Sequence, residues 1–191
     1  MRSIIFRFIY RNNCTIMHAP HDTLKDFEEV YQHWFDALEE YSETDLWRSA
    51  PDGGWSLGQV YQHIINGTQK FQLLVIRELL ETHEDADQQK TPMGEISYRE
   101  NEFPGRKFSV HRNGANEPEM TSKMQLRNQM KRVMRAMQET LPLLEGNPPS
   151  GKFQHQIFGY LDAQEWFQMI PMHWKHHLRQ KAVLDEAFSL V

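Results

Sequence analysis

Two histidines, His173 and His177, stand four residues apart in the stretch Met172-His173-Trp174-Lys175-His176-His177-Leu178-Arg179-Gln180. On a helix that separation is about 400° of rotation, which leaves the imidazoles roughly 40° apart on one face and about 6 Å apart along the axis. Imidazole is a common ligand for borderline metals such as zinc and nickel, and this spacing lets both rings bind one ion. Two ligands from one helix do not complete a site, so at least a third group must come from elsewhere. The single Cys14 excludes a cysteine-rich zinc site and an internal disulfide, leaving His, Asp and Glu as donors.

The elements that must position these groups are four segments with helical apolar periodicity. The first runs over about 22–46 through Leu24, Phe27, Val30, Tyr31, Trp34, Leu38 and Tyr41. After the break at Asp52-Gly53-Gly54, Ser56 and Gln59 make a capping-box signature for a second helix over about 57–82, with Val60, Ile64, Phe71 and Leu74 on its buried stripe. A third spans about 119–145 through Met124, Leu126, Met130, Val133, Met134, Met137 and Leu141, and Gly146-Asn147-Pro148-Pro149 ends it. The fourth opens at Asp162, with Glu165 three residues on, and continues through Trp166, Ile170, Trp174, Leu178 and Leu184. Pro171, inside this helix, is expected to bend or loosen it just before His173. No segment alternates as a strand. The expected fold is therefore all-α, a four-helix bundle whose long connection between helices 2 and 3, about 83–118, crosses the bundle and walls a pocket.

In such a bundle His63 is the strongest candidate for a third ligand, because it borders the buried stripe of helix two. Gly67, one turn on, costs about 1 kcal/mol against alanine in a helix and marks close approach or a site needing room. Spacing alone also allows the ordinary alternative of hydrogen-bonded histidines on an apolar face. His176 is offset from the His173 face, either a donor behind the ligands or a solvated ring. His18, His21, His33, His83, His111 and His155 are expected at the surface or in caps, and Trp55, Trp166 and Trp174 in the core. Arg106 and Lys107, on the long connection, are candidate contacts for an anionic substrate.

Composition narrows the partners. A net charge of −5 lacks the basic footprint of a duplex nucleic-acid binder, and 39% hydrophobic residues with five Trp and eleven Phe suffice for one core. Arg7 splits the apolar run of residues 1–16, so neither a signal peptide nor a membrane span is read there. We expect 1–16 to be an extension preceding a natural start at Met17, 17–191 to form a single domain, and the protein to work in a reducing cytoplasm.

The segment Trp55-Ser56-Leu57-Gly58-Gln59-Val60-Tyr61-Gln62-His63 resembles the helix-two motif of the DinB/YfiT-like superfamily of metal-dependent enzymes, and His173-Trp174-Lys175-His176-His177 resembles its helix-four HxxHH motif. Phe158-Gly159-Tyr160-Leu161-Asp162 with Glu165-Trp166 is similar to a subgroup of small bacterial members. The resemblance covers roughly 22–188. It implies a divalent ion, nickel or zinc, on His63, His173 and His177, and a small-molecule substrate. The implied chemistry is either transfer involving a low-molecular-weight thiol, which would be external because Cys14 lies outside the resemblance, or hydrolysis. A non-catalytic metal-binding or stress-response bundle is the competing expectation, and a homodimer is an assembly open to it.

Overall fold

The computed structural model describes residues 18–104, 120–146 and 148–189. Its long elements are helical: α1 (Pro20–Glu40), α3 (Leu57–Gly67) continuing through a π-helical turn at Thr68–Gln72 into α4 (Leu73–Leu79), α6 (Lys123–Leu144) and α7 (Ala163–Phe188). Shorter elements are α2 (Glu43–Trp47), α5 (Pro92–Glu100) and the strands β1 (Phe153–His155) and β2 (Gly159–Leu161). α1 packs on both α6 and α7, α3 likewise, and α4 packs on α7. This is the all-α bundle expected, with one small hairpin added.

The helix starts follow their capping chemistry. Ser56 with Gln59, and Asp162 with Glu165, form reciprocal capping boxes as expected, and Ser122 with Gln125 forms another that starts the third long helix at Lys123 instead of 119. The first helix stops at Glu40, not near 46. Tyr41 takes an extended conformation, and Ser42 opens α2 through its own capping box with Asp45. Every residue named on the first helix's stripe is nevertheless buried.

The second helix departs most from its simple periodicity. Val60 and Ile64 are fully buried, yet Phe71 and Leu74 are 48% and 47% exposed, and the stripe passes instead to Gln72, Leu73, Val75, Ile76 and Leu79. The π turn at 68–72 is the cause, since its wider hydrogen-bonded ring holds one extra residue and rotates everything after it by roughly 100° relative to a straight α-helix. On α6, Met124 is exposed and Met134 and Leu141 only partly buried, while Leu126, Met130, Val133 and Met137 are fully buried. On α7, Leu178 is only partly buried; Trp166, Ile170, Trp174 and Leu184 line the core, and the helix is unbroken across the buried Pro171.

The long connection is ordered where described. Thr91 caps α5, and Lys90 forms a buried ion pair with Glu165, the same carboxylate that accepts from the Asp162 amide in the α7 cap. Gly94 lets α5 lie against the hairpin, because a Cβ there would stand 2.2 Å from the Phe158 carbonyl oxygen. The hairpin pairs Phe153 with Leu161, Gln154 with Tyr160 and His155 with Gly159. Its strands are three residues each, too short to show alternation in sequence.

Candidate metal centre

His63 is delivered by α3, and His173 and His177 by α7, which packs directly against it. One nitrogen from each ring lies within 4.8 Å of the other two. The closest approaches, His63 Nε2 to His173 Nε2 and His177 Nε2 to His173 Nε2, are both 3.1 Å. The rings are edge-to-face, with centroids 4.8–5.0 Å apart, so the nitrogens converge without the planes stacking.

The protonation states suit a cation. Burial first, and then the neighbouring histidines, hold His173 well below the ordinary imidazole pKa and His177 down to about 3. Both rings are therefore neutral at neutral pH, as ligands must be. His177 Nδ1–H donates to Gln180 Oε1 at 3.1 Å, which leaves the Nε2 lone pair facing the cluster. His173 Nδ1 is buried with no hydrogen-bond partner among the described residues. Neutral rings that turn lone pairs toward one another at 3.1 Å repel unless a proton or a cation lies between them. For zinc–nitrogen bonds of about 2.0–2.1 Å in a tetrahedron, neighbouring donors stand about 3.3 Å apart, close to the two separations from His173 Nε2. The donor set thus fits a divalent ion.

Aromatic groups surround the three rings. Trp55 packs on His63, with centroids 4.9 Å apart, so it is a wall of the centre as well as a neighbour of the core. Phe103 approaches His173 at 6.0 Å and His176 at 5.3 Å. On the core side, the Trp174 indole donates to Thr68 Oγ1 at 3.0 Å, tying the π turn to the helix that carries two of the three rings. Behind it Trp174 meets Phe27 edge-on. Gly67 lies over His173 as expected, but a Cβ there would sit 3.5 Å from His173 Cε1, an ordinary contact that does not require glycine.

His176 lies against His177, with centroids 5.2 Å apart, and makes no hydrogen bond to it among the described residues. His155 is half-buried in the hairpin, where its Nδ1 caps the turn by accepting from the Ile157 and Phe158 amides. Arg106 and Lys107 lie outside the described residues. Sequence reasoning missed Phe103 and Gln180 as neighbours of the centre; Gln180, one helical turn after His177, was the more accessible of the two.

A family model described as the DinB superfamily matches residues 19–180. No curated protein and no solved structure matches the chain.

Proposed function

The chain belongs to the DinB superfamily, and from that premise we propose that it is a metal-dependent enzyme acting on a small molecule, with His63, His173 and His177 holding one nickel or zinc ion. The observation that carries the reading is the convergence of the three ring nitrogens within 4.8 Å. A divalent ion bound there supplies Lewis acidity, which lowers the pKa of a water or thiol it binds and so generates a nucleophile near neutral pH. The protein's own groups do the rest. α3 and α7 fix the angle between the ligands, Gln180 holds the His177 tautomer, and Trp55 and Phe103 limit water at the rim.

Between the two chemistries we favour transfer to or from a low-molecular-weight thiol. The chain's one thiol, Cys14, falls outside the matched residues, so the nucleophilic sulfur would come with the substrate, as a reducing cytoplasm allows. No helix among the described residues is long and apolar enough to cross a membrane.

Elemental analysis of untagged protein, followed by a screen of thiol conjugation and of ester and amide hydrolysis, tests both halves. Stoichiometric nickel or zinc with metal-dependent thiol conjugation is the expected result. Hydrolysis alone would replace the transferase reading. Tight metal without turnover would favour a non-catalytic bundle, and failure to bind either metal would remove the centre.

A further inference from the structure

A cavity of about 500 Å³ lies beside the histidine centre, where α1, the end of α5 and the polar flank of α7 meet; Asp26, Asn101, Phe103, Lys175, His176 and Arg179 line it. Phe103 and His176 form the partition, since Phe103 packs on His176 and also on the ligand candidate His173. The cavity is built on an organised network. The buried Gln168 donates to Asn101 Oδ1 at 3.0 Å, Asn101 donates to Asp26 Oδ2 at 2.6 Å, and Lys175 donates to the same oxygen at 2.9 Å. Asn101 holds a left-handed backbone (φ 52°) at the end of α5 to do so.

Two donors converge on Oδ2, while Asp26 Oδ1 receives no hydrogen bond among the described residues. The Lys175 ammonium keeps protons to donate, and Arg179, paired with Glu102 through one nitrogen at 2.5 Å, keeps further N–H groups. The charge balance decides what such a cavity accepts. An anion would have to compete for cations already matched by Asp26 and Glu102, and a metal cation would have to displace Lys175 and Arg179. A ligand carrying both signs adds an ammonium to the open carboxylate oxygen and a carboxylate to the two cations and leaves the charge of the cavity as it was; Glu100, the third acidic group of the lining, is paired with Arg99 outside it.

The geometry points to this cavity as a subsite for a zwitterionic, α-amino-acid-like head group, with the ligand's remaining chain directed along Phe103 toward the histidine centre. The inference deepens the proposed function by naming the class of substrate, and it rests on that reading for its purpose but not for its binding.

The test is calorimetric titration of the full chain, freed of metal with a chelator, with L-norleucine, whose amino-carboxylate head group then has no ion at the histidines to chelate. N-acetyl-norleucine and norleucine amide serve as single-charge controls. Norleucine should bind at least about tenfold more tightly than either control, because each control loses one charged hydrogen-bonded contact. Lys175→Met and Asp26→Asn, shown by circular dichroism to be folded, should each weaken norleucine binding by about tenfold. Equal affinity for the three compounds, affinity unchanged in both variants, or no norleucine binding at about 50 mM would overturn the subsite. Cobalt(II) titration of the same preparations reports separately on the histidines. Cobalt binding without norleucine binding rejects the subsite alone, whereas norleucine binding without cobalt binding upholds the subsite and rejects the metal centre.

Discussion

At the scale of single residues, the centre depends on three converging rings, and each can be removed without removing a core layer. His177→Ala should leave the far-ultraviolet circular dichroism unchanged while weakening zinc or nickel binding by at least about 100-fold in a competitive chelator titration, since two histidines make a poorer site. Unfolding of the variant would instead give His177 a structural role. Gly67→Ala should keep metal affinity within a few fold and fold at least as stably as the parent, because alanine's helix preference is worth about 1 kcal/mol and its methyl group meets only the His173 ring in ordinary contact. A tenfold loss of affinity would show that the glycine is needed after all. His155 bears on pH. Burial holds its pKa down to about 4, so as the pH falls below the ordinary imidazole value of about 6.5 the unfolded chain takes up a proton that the folded chain refuses. Stability from this ring is complete above about pH 6.5 and is lost toward pH 4, by up to about 1.4 kcal/mol per pH unit. His173 and His177 act in the same direction, so the informative quantity is a difference. Urea midpoints of metal-free protein at pH 7, 6 and 5 should fall less steeply for His155→Gln than for the parent, and parallel slopes would remove His155 from the acid response.

At the scale of elements, the seating of α5 on the hairpin is the most exposed to a single substitution. Gly94→Ala would drive a methyl group into the Phe158 carbonyl oxygen, and we expect a loss of about 2 kcal/mol or more in chemical denaturation, with the 80–104 connection becoming the first site of limited proteolysis. Unchanged stability would mean that α5 shifts freely. The same scale shows what could be read in advance. The starts of the second and fourth long helices were legible because Ser56–Gln59 and Asp162–Glu165 are local devices, complete within four residues. His63, His173 and His177 were legible because two share one helical face and the third borders the stripe of the facing helix. The π turn was not, because its extra residue is fixed by tertiary contacts such as Trp174 to Thr68 and leaves no periodic signature of its own. Phe71 and Leu74 were therefore assigned to the wrong face. Phe103 escaped for a related reason: its place beside His173 depends on how the connection folds back, with Asn101 tied to Asp26 and Tyr98 to the Glu165 carbonyl.

At the scale of the whole molecule, the core is continuous and independent of the centre, with Trp34, Trp166, Trp174, Tyr61 and Phe27 fully buried. The far end is fastened separately. Tyr41 donates to Asp185 Oδ1 at 2.7 Å and Lys181 to Asp185 Oδ2 at 2.6 Å, joining the end of α1 to the last turns of α7. Asp185→Ala should cost about 3 kcal/mol by leaving Lys181 buried without its partner, with metal affinity unchanged, as denaturation and metal titration on one preparation would show. A change below about 0.5 kcal/mol would mean that Lys181 turns out to solvent at no cost. Metal-free protein, for its part, should keep its helices. The two helices that share the histidines have a further consequence. His63 and His173 are 110 residues apart in the chain, so an ion held by both closes a long loop, constraining the unfolded ensemble much as a disulfide does. Unlike a disulfide, this link is governed by mass action and tightens with the logarithm of free metal concentration. With metal bound there, a chain whose lone cysteine bars it from making an internal disulfide would hold a staple that a chelator could open and returning metal could close.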